Sequence, residues 1–416
     1  MKLKNILNII LYTFIIIVPL VPVKTKISFI PIAADTVFGG LAILFGIAYI
    51  SLNCIKDRSY LNVVKSKEMK FLGVLAVLFT IISLSSVFYA QNKVAAITET
   101  IRFIEYVVIF YIILIVSDND FIKKSLSIFY IVMIIASLFG VVQFIFNLSG
   151  FYDNGTYHPL GRGRIYSTFE NPNYWGAAIN MVIFYPIICF VEKRGSRLLN
   201  GLVFLLFLFN LIFSSTRGSW LGFGLGLLVI SILRYRRMLL SIPALIVAAL
   251  ILPATRQRFL SIFDPHNASE GVRVKIWKTG LEMFKDYPLL GVGNGNFLFR
   301  YREYISKYHE LYAGRTIFTT HNSYIKMLAE LGAIGGVLFI LIYASLTHIT
   351  FKVYRYTKRY NLVALSFIGF WCAYLFQNFL NNLMFIPQLN VLVWIITAML
   401  YKGYYIESKK GVANHG

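Results

Sequence analysis

Acidic side chains are scarce in this sequence, with 18 Asp and Glu against 40 Lys and Arg. Charge of either sign makes up only 14% of the chain, where a soluble domain averages about 25%. That shortage excludes an ordinary water-soluble protein and points to a multi-span membrane protein. Cysteine is nearly missing. Cys54, Cys189 and Cys372 lie in or beside apolar segments without CxxC or metal-ligand spacing, so they read as small buried hydrophobes outside any disulfide framework or zinc site. No His/Cys/Asp cluster has ligand spacing, and no paired D-x-D carboxylates for a nucleotide sugar and metal are expected. Neither a metal nor a cofactor is therefore expected. The opening "MKLKNILNIILYTFIIIVPLVP" has the basic and apolar parts of a signal peptide without a small-residue cleavage site, and reads as a retained first span.

Apolar residues are abundant instead, at 58% of the chain with a mean hydropathy of +0.69. Runs long enough to cross a bilayer recur near 5–22, 28–52, 71–90, 101–117, 122–147, 172–191, 198–214, 218–233, 238–253, 322–350, 361–380 and 384–402. The expectation is an all-α integral membrane protein of about twelve spans. A single helix over 198–233 would rise roughly 50 Å, far more than the ~30 Å hydrocarbon core, so a hairpin is expected at "SSTRGS", the one polar cluster there that holds a glycine. Counting from Lys2 and Lys4, every second connection is basic, from "CIKDRSYLNVVKSKEMK" through "RYRRM" to the tail "ESKK". The positive-inside rule then puts both termini in the cytoplasm, and the formal charge of +22 needs no nucleic-acid partner.

Two outer segments are long. One is 148–171, and the other is 254–321, whose ten Lys and Arg carry no topological signal at that length. Two amphipathic helices at the outer membrane face are predicted in the second, one burying Ile276, Trp277, Leu281 and Phe284, the other Phe297, Tyr301, Tyr304, Tyr308 and Leu311.

Candidate chemistry gathers on the same side. Arg217 in "SSTRGSW" either snorkels to the headgroups or meets an anion. Arg273 in "GVRVKIWKTG" is a solvated loop charge or a second cation. His321 in "TTHNSYIKM" is a capping residue, or a base whose neutral imidazole is favoured by the helix start beside it. Gly291, Gly293 and Gly295 in "PLLGVGNGNF" permit tight turns with exposed N–H groups, without the GK[ST] of a Walker loop. Asn171, Pro172 and Asn173 read first as ordinary helix-start residues. Arg102 and Glu105 are expected to pair at i,i+3.

Taken in order, "STFENPN", "SSTRGSWLG", R-x-x-x-W (Arg273 to Trp277), "PLLGVGNGNF" and "HNSYIKMLAELGAIGG" resemble the O-antigen ligase and polymerase superfamily over roughly residues 160–340. The resemblance implies a family-related core at 148–350, including the extracytoplasmic loop 254–321, flanked by membrane helices at 1–147 and by helices and a cytoplasmic tail at 351–416. It implies an inverting membrane glycosyltransferase of bacterial cell-surface polysaccharide biosynthesis. The enzyme would move a glycan from undecaprenyl diphosphate to an acceptor hydroxyl on the outer face of the inner membrane, without metal or nucleotide. Catalytic roles fall on His321 as base and on Arg217 and Arg273 as diphosphate ligands, with Asn171, Asn173, Gly293 and Asn322 also facing substrate. The partners would be the lipid-linked donor, a glycan or lipid-glycan acceptor, and membrane lipid. A polymerase of lipid-linked repeat units, whether O-antigen, capsular or teichuronic-type, is the alternative. A transporter or flippase fits less well, because no paired polar site at the midplane stands out.

Overall fold

A computed structural model describes residues 2–21, 24–27, 30–148, 150–153, 156–159, 164–251, 256–257, 260 and 268–413. In chain order these form α1 (Lys2–Leu20), β1 (Lys24–Ile27), β2 (Ile30–Ala33), α2 (Ala34–Lys56), α3 (Lys67–Ser85), α4 (Lys93–Val116), α5 (Asn119–Phe146), β3 (Gly150–Asp153) and β4 (Thr156–Pro159). Then come α6 (Pro172–Val182), α7 (Phe184–Val191), α8 (Arg197–Phe213), α9 (Arg217–Leu233), α10 (Ser241–Ile251), α11 (Ala268–Asp286), α12 (Phe297–Lys307), α13 (Ser323–Tyr356), α14 (Asn361–Gln377) and α15 (Pro387–Ala413). Among the described residues the regular structure is helical apart from two short antiparallel hairpins, β1–β2 and β3–β4, which the apolar pattern did not announce. The span expected to begin at residue 28 therefore starts at Ala34 instead, after the first hairpin.

Among the described residues, seven helices are long and apolar enough to cross a membrane. Three more apolar helices, α8, α9 and α14, have 17 residues each. At 1.5 Å per residue they rise about 26 Å, slightly less than a hydrocarbon core. The expected hairpin between α8 and α9 is present. Its left-handed residue is Ser215 (φ 52°), while the glycine of the cluster, Gly218, lies inside the first turn of α9.

One continuous apolar core runs from Leu7 in α1 to Tyr401 in α15, across the expected boundaries at 147 and 350. Its centre is α14, buried at nearly every position from Ala364 to Tyr374, as a helix without a polar face must be. Trp175, Trp371, Trp394 and Tyr374 are fully enclosed there.

A second, smaller core lies outside it. Ile276 and Met283 of α11, Val292, Phe297, Tyr301 and Tyr304 of α12, and Ala329 of α13 pack together. The two amphipathic helices thus bury their apolar faces against each other and the start of α13, where a layer on the membrane surface was expected. The face of α12 is as predicted, whereas that of α11 is rotated: Leu281 is 40% exposed, and Thr279 and Gly280 are buried in its place.

The helix α13 is broken at Gly332 (φ 63°, ψ −163°), so the expected unbroken span over 322–350 is two segments. The connection between α11 and α12 fills the break. The Ala333 N–H donates to the Pro288 carbonyl (2.8 Å), and the Val292 and Gly293 N–H groups donate to the Ala329 and Glu330 carbonyls (2.9 and 2.8 Å). Backbone groups freed by the kink are thereby satisfied within the protein, as membrane depth requires.

Candidate active site

Arg217 occupies the first position of α9. The turn before it is fixed from several sides. The Trp220 indole N–H donates to the Leu211 carbonyl (2.8 Å), and the Ile165 N–H donates to the Phe213 carbonyl (2.9 Å), which brings the neighbouring Arg164 up to the same turn. Ser219 Oγ donates to Gln377 Oε1 (2.9 Å), and Asn180 Nδ2 donates to the Ser219 carbonyl (3.0 Å). The start of α9 is thus locked to α6 and to the end of α14.

His321 stands just before α13 in a left-handed conformation (φ 49°). Asn322 caps that helix, accepting the N–H groups of Tyr324 and Ile325 at 3.0 Å each. Ser323 is held by Asn378 twice, through its N–H to the Asn378 carbonyl (2.8 Å) and its Oγ to Asn378 Oδ1 (2.6 Å). Thr320 Oγ1 donates to Asn382 Oδ1 (2.9 Å). The segment "QNFLNN", residues 377–382, therefore ties the Arg217 turn to the His321 turn.

The third expected residue comes from α11. Burial holds the His321 imidazole below its ordinary pKa, and the Arg273 guanidinium lowers it further. A buried clamp sets the position of α11 and α12 against α13. The Glu330 carboxylate, only 1% exposed, accepts the N–H groups of Gly295 (2.8 Å) and Phe297 (3.1 Å) and pairs with Lys326. A carboxylate at the α12 N-terminus complements the helix dipole, and the ammonium keeps the buried charge paired.

Several expectations need correction. The glycine loop does not present exposed N–H groups. Gly291, Gly293 and Gly295 all have positive φ, and their N–H groups donate to Tyr287 O, Glu330 O and Glu330 Oε2. Gly293 is buried against Ala90, so this loop clasps the broken helix and is no anion nest. The Asn171 carboxamide oxygen accepts the Asn173 N–H (2.8 Å), which makes Asn171 the cap of α6 as Asn322 is of α13. Arg102 pairs with Glu99 (3.0 Å) on the turn before it, where Glu105 on the turn after was expected. Against expectation, Asp118 and Asp120 do have D-x-D spacing, but Asp118 caps α5 by accepting the Phe121 N–H (2.9 Å) and pairs with Lys4 (2.6 Å). Cys189 is buried as expected and Cys372 half-buried, while the side chain of Cys54 lies outside the described residues.

Sequence reasoning missed Gln377, Asn378, Asn381 and Asn382. The available signal was four carboxamides within six residues at the end of an apolar run. Gln377 and Asn378 were absorbed into a span expected to reach residue 380, and Asn381 and Asn382 into the short connection after it.

No curated protein matches this chain significantly. The family model described as O-antigen ligase matches residues 202–340, from within α8 to within α13, taking in Arg217, Arg273, His321 and Glu330 but not the 377–382 segment. Residues 202–340 are thus similar to an O-antigen ligase domain, set in a protein with several helices long and apolar enough to cross a membrane.

Proposed function

We propose that the protein transfers a glycan from undecaprenyl diphosphate to an acceptor hydroxyl at the outer face of the cytoplasmic membrane, as a metal-independent inverting ligase or polymerase with both termini inside. One observation carries the reading: the fold returns Arg273 to the neighbourhood of His321 across the whole α11–α12 excursion, where burial and then the guanidinium hold the imidazole below its ordinary pKa. The 377–382 segment supports it by joining the Arg217 turn to the same place. Helices α8, α9 and α14 all meet near this cluster, and their short rise suits a recess at headgroup depth, where a lipid diphosphate resides.

The chemistry follows from those groups. The neutral His321 imidazole takes the acceptor hydroxyl proton as the oxygen attacks the anomeric carbon. The bond from that carbon to the diphosphate oxygen breaks with inversion, and the electron pair leaves on the diphosphate. Arg217 and Arg273 stabilise the charge that builds up there, through the forked geometry that suits phosphate oxygens. The test is to measure donor binding and turnover separately in His321→Ala. Turnover should fall by ~10²–10⁴ with donor affinity largely kept. Weakened binding with normal turnover at saturating donor would remove His321 as the base.

A further inference from the structure

We infer that the groove between Tyr89, the connection 286–292 and Arg300 binds a phospholipid whose headgroup ends in a primary ammonium, with the lipid phosphate on Arg300 and the ammonium on Asp286. The inference goes beyond the proposed function and needs only that the apolar helices cross a bilayer. The groove measures about 520 Å³, within the range of small-molecule sites. Pro288, Leu289 and Leu290 make its floor, and Asp286, Tyr287 and Arg300 stand on its rim.

Its position points to lipid. Phe88, which ends the apolar stretch Lys67–Phe88, is 87% exposed, and the Tyr89 beside it donates its hydroxyl to the Leu290 carbonyl (2.7 Å). Leu289 is 64% exposed, and its carbonyl accepts from the N–H of Ile334 (3.4 Å), just past the break in α13 and itself 41% exposed. The floor is thus continuous with apolar surface on two helices long enough to cross a membrane. Such surface needs cover, and at the end of a span lipid provides it.

The rim sets the headgroup. Arg300 gives one guanidinium nitrogen to Glu303 (2.7 Å), while its Nε is enclosed and has no hydrogen-bond partner. The Tyr304 hydroxyl and Lys307 both meet Asp286 on Oδ2 (2.7 and 3.7 Å), and no described residue bonds Oδ1. One cation and one anion therefore border a single groove. With Glu303 and Lys307 behind them, these four side chains carry no net charge, which disfavours a purely anionic headgroup and complements a zwitterion. Phosphate oxygens suit the guanidinium fork, and a primary ammonium can donate to a carboxylate where a trimethylammonium cannot. The Tyr287 ring, 45% exposed on the same rim, adds an aromatic partner for the cation. The floor is also the connection that fills the break in α13, so the bound lipid steadies the end of α11, whose other end carries Arg273.

The test uses the full-length protein, delipidated in detergent, and reads retained lipid by native mass spectrometry. The probes are phosphatidylethanolamine, phosphatidylcholine and phosphatidylglycerol of one acyl composition. Phosphatidylethanolamine should be held roughly 10- to 100-fold more tightly than phosphatidylcholine, the worth of one hydrogen bond to a charged group, and should raise the unfolding midpoint. Asp286→Asn should remove that preference, and Arg300→Gln should weaken both lipids. Tyr304→Phe, which takes away only the protein's own hydrogen bond to Asp286, should keep the preference and so separate a headgroup contact from a structural role of the carboxylate. The three-lipid series on the wild type decides the matter where a variant folds poorly. Equal retention of all three would mean that acyl chains alone fill the groove. Tighter phosphatidylglycerol would make it a plain anion site, and displacement of phosphatidylethanolamine by maltotriose would assign it to a glycan. Each of these three results overturns the inference, and none of them tests glycan transfer by His321 and the arginines.

Discussion

His321 and Arg273 are the pair on which the proposed chemistry turns. Burial, then the guanidinium, lower the imidazole pKa from its ordinary 6.5. The neutral form therefore persists to more acidic pH than in a free histidine, and activity should be lost only as pH falls through that lowered value. Arg273→Gln removes one of the two causes, so the titration of His321 should move upward toward the ordinary value. Nitrogen-15 histidine spectra in nanodiscs read this without reliance on turnover; an unmoved or lowered titration would break the link between the two residues. The arginines carry a second expectation. An ammonium cannot reproduce the guanidinium fork, so Arg217→Lys and Arg273→Lys should each lower kcat/KM by about tenfold or more. Because both are proposed to hold one diphosphate, the double variant should lose less than the product of the single losses. Near-normal transfer by Arg217→Lys would return that residue to a snorkelling role.

At the scale of elements, the break in α13 is what holds α11 in place. Gly332 has φ 63°, and a Cβ there would collide with the Leu289 backbone carbonyl. Gly332→Ala should therefore cost on the order of 2–4 kcal/mol, through left-handed strain and loss of the fit of 288–292 into the break. Gly224→Ala in α9 is the control, because a Cβ there meets nothing within 4 Å and a helix interior favours alanine over glycine. Thermal unfolding of the two variants in detergent separates them, and equal midpoints would remove the clasp. The same clasp explains why the glycine loop was misjudged. A run of glycines marks where a backbone makes a close approach, and the sequence does not say whether the approached group is a phosphate or another turn of the chain. Here it is the 329–331 turn of α13 and the Glu330 carboxylate.

For the whole molecule, orientation is the first thing to test. The alternating charges put 254–321 outside and "RYRRM" inside, so in a background without native cysteines an impermeant thiol reagent should label Ser269→Cys and spare Met238→Cys. The reverse pattern would put the proposed site on the wrong face. Much of the architecture was legible beforehand, because a bilayer solvent forces apolar length and helical backbone pairing onto every crossing segment. The hairpin at "SSTRGS" followed from length alone, and the apolar face of α12 from its helical period. Arg217 was visible as a charge where hydrocarbon penalises it, while Arg273 and His321 stood out in the outer loop and its re-entry through the order of the motifs. Which of these meet, and what holds them, was decided only in three dimensions. The 377–382 segment lies outside the family match, and α14, read as one more span, forms the centre of the core. Its carboxamides carry no periodic signal. They became identifiable as a bridge only once the folded chain set the starts of α9 and α13 beside them, since a hydrogen bond between distant residues depends on their separation in space and not along the sequence.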